Sequence, residues 1–240
     1  MVNLFLALNV FSQNAARLVL PVGHFFGIDM LGTSKNERYL VTHDVNNNII
    51  LWEVETKKEI LRIEPKAAVQ AVVFDGDSHI LYFSKDSVFR YDIHADKTTG
   101  HKTGLVAKSV QLNKQEIYLL TPENKLYVLR RTKNDSYEKY FLSKSIIDLH
   151  CNDEQAFALS STGAIIQLNG NKLIHKYSIK PDLIGVKISK QPNGDVFSIA
   201  SETGNVYVFH ARENTYQEIY KFSEAVTGII FSRDGTSVFA

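Results

Sequence analysis

The sequence predicts an all-β fold in which four-stranded antiparallel units repeat as the blades of a propeller, and three observations carry that expectation. Short strand patterns bounded by turn residues run the length of the chain with almost no helical periodicity. The third-strand positions Trp52, Tyr91, Leu129, Leu168 and Phe209 recur at steps of about forty residues, the period of propeller blades. Thr162-Gly163 and Thr203-Gly204 mark the same hairpin in two successive units. A β-sandwich also reads as many short strands, but it does not sustain such a period.

The first unit, 23–62, sets the pattern. Gly27 to Leu31 is a short, mostly apolar strand, and Ser34-Lys35-Asn36-Glu37 is a polar turn. Arg38 to Thr42 is rich in aromatic and β-branched residues, as strands are. Asn46-Asn47-Asn48 tolerates the left-handed backbone of a tight hairpin. Ile49 to Val54 is a near-continuous apolar run, which predicts burial on both faces. Thr56-Lys57-Lys58 then turns the chain into a fourth strand, Glu59 to Ile63.

Weaker copies follow over 63–103, 104–142, 143–178 and 179–222, with turns at Asp75-Gly76-Asp77, Lys85-Asp86, Pro122-Glu123-Asn124, Thr162-Gly163, Pro192-Asn193-Gly194 and Thr203-Gly204. A sixth unit opens over 223–240 and reaches Ala240 within its second strand. An unfinished blade leaves backbone groups unpaired, so the natural protein is expected to continue beyond these residues.

Composition bounds the function. With 44% hydrophobic and 22% charged residues, the chain reads as an ordinary soluble globular protein. A net charge of +1 argues against a general nucleic-acid or anionic-membrane surface. Cys151 is the single cysteine, which excludes an internal disulfide and a thiolate metal cage.

Local chemistry is sparse. His150-Cys151 is the one Cys–His adjacency, but neighbours on a strand point to opposite faces, so a buried structural cysteine is expected. The 8 histidines show no metal-ligand pairing, and Asp75-Gly76-Asp77 lacks the spaced carboxylates and distal Glu of a calcium loop. Glycine-rich phosphate loops and G-x-S-x-G elbows are absent. Arg130-Arg131-Thr132-Lys133 reads as a solvated turn face or a contact for an acidic partner. The expectation is therefore no catalytic, metal or cofactor site.

Gly23-His24 at the opening of the first unit and Trp52-Glu53 on its third strand resemble a WD repeat. The resemblance implies a buried hydrogen-bond network of His24, Thr42, Asn46 and Trp52, with Asn46 in place of the usual Asp and hence a neutral, weaker network. It places Tyr91, Leu129, Leu168 and Phe209 at the matching structural positions of later repeats. Ser232-Arg233-Asp234-Gly235 resembles the family's turn between first and second strands. The strand Arg17 to Val22 would pair with the last blade and close the ring.

For function the resemblance implies a non-catalytic platform for protein partners, without nucleic acid or membrane insertion. Its contact regions would be the hairpins around Asn46, Lys85, Asn124, Thr162 and Thr203. Leu18 to His24 leading into Trp52 also resembles bacterial WD-repeat proteins, some of which carry a caspase-like peptidase domain further on. That gives an alternative role as the regulatory propeller of a larger enzyme. A hydrolase or cofactor-binding propeller is a third reading, because such enzymes gather groups from several blades. Met1 to Ser12 resembles the end of a bacterial signal peptide without its basic start, the alternative being a first strand or a frayed terminus. Export follows from the first reading and a cytoplasmic protein from the second.

Overall fold

The computed structural model describes residues 23–113, 116–133, 136–152, 154–179 and 185–240. The signal-peptide segment 1–12 and the closing strand 17–22 lie outside them.

Five sheets of four antiparallel strands follow one another, each in simple sequence order. Sheet one contains β1 (Ile28–Thr33), β2 (Tyr39–Asp44), β3 (Ile49–Glu53) and β4 (Lys58–Ile63). Sheet two contains β5 (Val69–Asp75), β6 (His79–Ser84), β7 (Ser87–Asp92) and β8 (Lys97–Lys102). Sheet three contains β9 (Ser109–Leu112), β10 (Ile117–Leu120), β11 (Leu126–Arg131) and β12 (Tyr137–Ser143). Sheet four contains β13 (Ile146–Cys151), β14 (Ala156–Ser160), β15 (Ala164–Asn169) and β16 (Lys172–Ser178). Sheet five contains β17 (Gly185–Lys190), β18 (Val196–Ser201), β19 (Asn205–His210) and β20 (Thr215–Lys221). A two-stranded sheet, β21 (Ile230–Phe231) with β22 (Val238–Phe239), follows.

The first strands β1, β5, β9, β13, β17 and β21 lie side by side in that order, so the sheets radiate from a common centre. Among the described residues the ring is not closed. An exposed ion pair, Arg233 Nη1 to Glu37 Oε1 at 2.6 Å, spans from the sixth sheet to the first.

Period-two alternation on the second strands builds the core. On β6, Ile80 and Tyr82 pack back against Val41, Ile49 and Leu51 of sheet one. Leu81 and Phe83 between them pack forward against Ile117, Leu119 and Leu129 of sheet three. The scheme repeats, with Tyr118 forward from β10 and Phe157 forward from β14. Each such side chain contributes about 1.5–3 kcal/mol through burial. Side chains also reach the backbone of the next first strand: Asp148 Oδ2 accepts the Ile188 N–H at 2.9 Å, and Ser189 Oγ accepts that of Phe231 at 3.3 Å.

Hairpins between second and third strands share one left-handed residue each: Asn47, Lys85, Asn124, Gly163 and Gly204. Gly204 has φ +83°, and an added Cβ there would lie 2.5 Å from the carbonyl oxygens of Phe222 and Glu224. Gly76 has φ +70° but open space around it. We expect Gly204→Ala to cost at least 2 kcal/mol, roughly, and Gly76→Ala only about 1 kcal/mol, because the second meets backbone strain without a clash. Urea unfolding measures both, and equal losses would contradict the clash.

Ser198 occupies the register held by Val41, Leu81, Tyr118 and Phe157 in the other sheets. Its hydroxyl is buried without a hydrogen-bond partner among the described residues. Ser198→Ala should therefore raise stability by about 0.5–1.5 kcal/mol. A loss of stability in thermal unfolding would show that the hydroxyl is satisfied after all.

Candidate functional site

Sheet one carries the polar constellation expected from its sequence, with one exchange. Trp52 Nε1 donates to Thr42 Oγ1 at 2.7 Å. The Thr42 hydroxyl lies 2.7 Å from His24 Nε2, and His24 Nδ1 donates to Asp44 Oδ2 at 2.7 Å. His24 Nδ1 faces an ionised carboxylate, which only accepts, and the Thr42 hydroxyl, having accepted the indole proton, lies within reach of both His24 Nε2 and the Ile50 carbonyl at 3.4 Å. His24 and Asp44 are almost wholly buried, with side chains 3% and 1% exposed.

The acid of this chain is Asp44, not Asn46, which corrects the sequence-based assignment and its neutral, weaker network. Asn46 is exposed and contributes only its backbone N–H, donated to Asp44 Oδ1 at 3.0 Å. Thr42 and Asp44 stand two apart on β2 and therefore share a face, whereas Asn46 is already in the hairpin. That spacing is legible in the sequence, and it identifies Asp44. The Asn48 backbone and side-chain amides donate to the same carboxylate at 2.9 and 3.1 Å. Burial alone would raise the Asp44 carboxyl, but the Asn48 N–H, His24 and the Asn48 side chain outweigh it and hold it at about 2, against an ordinary 3.8.

A second set of hydrogen bonds stands beside it. His43 Nδ1 donates to Asp29 at 2.6 Å, and Asn47 ties the hairpin to the next sheet by donating to Pro65 and Ala67 carbonyls and accepting the Val69 N–H.

Later repeats keep the register without the chemistry. Tyr91, Leu129, Leu168 and Phe209 pair with Ile80, Ile117, Ala156 and Phe197, just as Trp52 pairs with Leu40. All four are buried. Where sheet one has Thr42, the others have Tyr82, Leu119, Ala158 and Ile199. Trp52 is half-buried, because its face of sheet one has no preceding sheet among the described residues.

The remaining candidates are structural. Asp75 accepts from Arg90 at 3.0 Å and Asp77 caps the Asn36 N–H at 2.8 Å, so Asp75-Gly76-Asp77 is a cross-linked turn. Arg130 pairs with Glu116 at 2.7 Å and Arg131 approaches Asp75 at 4.0 Å, so these two exposed arginines are ion-paired at the surface. Burial pushes the Cys151 thiol far up, and burial with Lys190 nearby pushes His150 down to about 4, so neither is prepared for nucleophilic work at neutral pH. The hairpins at Asn46, Lys85, Asn124, Thr162 and Thr203 lie at one end of the ring, and all of these residues but the half-buried Asn124 are exposed.

No family model matches the chain. It is similar to eukaryotic translation initiation factor 3 subunit I, with 27% identity to the Homo sapiens protein and 28% to the Taeniopygia guttata protein over 81 residues. These residues make up 34% of this chain and 25% of each relative, so the chain spans about a quarter of the curated relatives it matches. Among solved structures it is similar to U3-55K, with a TM-score of 0.68 and 15% identity over 91% of this chain and 74% of that one. It is likewise similar to the Cps50 (Swd1) β-propeller domain of Myceliophteria thermophila, with a TM-score of 0.70 and 13% identity over 88% and 78% of the two chains. The RRP9 WD40 repeats give a TM-score of 0.67 at 15% identity. Identities this low establish the fold alone.

The depressed Asp44 carboxyl makes stability depend on pH. Its contribution, about 2 kcal/mol, is present above the ordinary carboxylate range and is lost as pH falls from about 4 toward 2. Asp44→Asn should lower stability at neutral pH, and the two proteins should converge as the solution is acidified. Parallel curves in a denaturant series across pH would remove Asp44 from this role. Trp52→Phe keeps most of the ring but loses the N–H, at a cost of about 1 kcal/mol. Combined with Asp44→Asn it should cost less than the sum, as members of one hydrogen-bonded chain do.

Proposed function

We propose that this chain, whose fold is that of the WD-repeat β-propellers, serves as a rigid platform for protein partners. The observation that carries the reading is the division of labour within each sheet. Strand faces are committed to neighbouring sheets, whereas the hairpins at 46, 85, 162 and 203 present exposed side chains at one end. Hairpins on a stiff frame vary in sequence without disturbing the core, and several can touch a partner at once.

The comparisons support the same class of role. The curated relative is by name a subunit of an initiation factor, hence a protein that works in an assembly. Propellers of this fold are in general scaffolds rather than catalysts. No helix among the described residues is long and apolar enough to cross a membrane.

Full-length protein tagged and recovered from its own cells should sediment in a stoichiometric complex. Replacing Glu202-Thr203 with Gly-Ser should reduce that complex while the unfolding midpoint stays within a few degrees. Recovery of the chain alone, or loss of the complex only when the fold is lost, would overturn the platform reading.

A further inference from the structure

Charge is arranged differently at the two ends of the ring. At the end carrying the turns between first and second strands, arginines are neutralised, Arg90 by Asp75 and Arg130 by Glu116. At the opposite end, above sheets two to four, the cations are lysines. Lys66, Lys85, Lys125 and Lys144 are exposed there, and none has an ion-pair partner among the described residues. Lys102 and Lys187 at this end are held by Asp86 at 3.2 Å and Asp148 at 3.7 Å. Glu64 and Glu123 are the exposed carboxylates on the same arc, so the lysines leave it with a positive excess. Toward sheet five the sign turns, with Glu202 and Glu224 exposed.

The arc is a held surface and not a set of loose loops. Ser84 Oγ donates to the Ala67 and Ala68 carbonyls, tying the Lys85 hairpin to the Lys66 loop. The Thr103 and Gly104 N–H groups donate to the Asp86 carbonyl. Lys108 Nζ donates to Asn124 Oδ1 at 3.1 Å, and Ile146 N–H donates to the Asn124 carbonyl at 3.0 Å. Consecutive hairpins and inter-sheet loops are thereby joined from Lys66 to Lys144.

The φ of Lys85 is +53° in a two-residue turn in which Ser84 pairs with Ser87, whereas Asn47, Asn124, Gly163 and Gly204 close longer hairpins. A left-handed lysine is locally unfavourable, as it is also at Lys57, and at position 85 it sets one more cation at the tip of the hairpin.

We propose that this arc binds an extended acidic segment of a protein partner, laid across the hairpins of sheets two to four. The inference rests on the platform reading and names the chemistry of the partner. A peptide fits better than a nucleic acid, because single strands are held by aromatic stacking as well as by cations. Val106 is the large apolar side chain exposed on the arc, while Phe25, Phe26 and Phe222 flank it beside sheets one and five.

The test is fluorescence anisotropy of the full chain with a short labelled oligoglutamate, a Gly-Ser peptide of equal length and an oligouridylate. Binding of oligoglutamate should saturate, weaken with salt and weaken about tenfold in the Lys85→Glu/Lys125→Glu/Lys144→Glu variant. Lys57→Glu, at the other end of the ring, should stay within about twofold. Lys85→Asn should weaken peptide binding and raise the unfolding midpoint together, which a purely structural lysine would not do. No binding of oligoglutamate, equal affinity in the triple variant, or tighter binding of oligouridylate would overturn the proposal. A partner complex that survives the triple charge reversal would overturn the arc and leave the platform reading standing. Oligoglutamate binding without any stoichiometric cellular partner would remove the platform reading and leave the arc as a binding surface.

Discussion

Everything in this molecule depends on the face-to-face burial between successive sheets. A four-stranded sheet with apolar side chains on both faces is not stable by itself, because each face needs a cover. Here the cover is always the neighbour: Ile80 and Tyr82 look back to sheet one, and Leu81 and Phe83 look forward to sheet three. The strands are fixed by this mutual burial, which leaves the hairpins as the part of the chain free to meet something else. The same constraint explains the near-continuous apolar second strands, such as Ile117–Leu120 and Ala156–Ser160, in which every residue is buried.

Sheet one departs from this pattern on one face. Where the other sheets place Tyr82, Leu119, Ala158 and Ile199, it places Thr42 within a hydrogen-bonded chain running from Trp52 to Asp44. Apolar contact needs an opposing surface, whereas a hydrogen-bonded chain is satisfied within its own sheet. The face that carries it has no preceding sheet among the described residues, and Leu31 on that face is 70% exposed. Polar bonds inside the sheet thus hold Trp52, Thr42, His24 and Asp44 together without calling on a neighbouring sheet.

The repeat was legible because its signal is periodic. Trp52, Tyr91, Leu129, Leu168 and Phe209 share one register, and all but Trp52 are fully buried. The polar site was legible only in part. Asn46 attracted the assignment because it sits in the hairpin, but Asp44 is the last residue of β2 on the face of Thr42, and Asn46 has already left the strand. The Arg130-Arg131 run is exposed, as its sequence suggests, but sequence alone does not show that the chain brings Glu116 and Asp75 to it. The basic arc was invisible for a similar reason. Its lysines are spread across sheets two to four, and only the strand order brings them to one end of the ring.

The way the sheets depend on neighbours also sets where the molecule comes apart. Sheets two, three and four are covered on both sides by four-stranded neighbours, whereas β21 and β22 offer sheet five only a two-stranded cover. The exposed Arg233–Glu37 pair contributes little to holding the ends together. Within the described residues, the amide protons of β10 and β14 lie between faces that are both covered and exchange only through nearly global unfolding. The basic arc lies over these doubly covered sheets, so a partner docked there would meet a stiff sector of the ring.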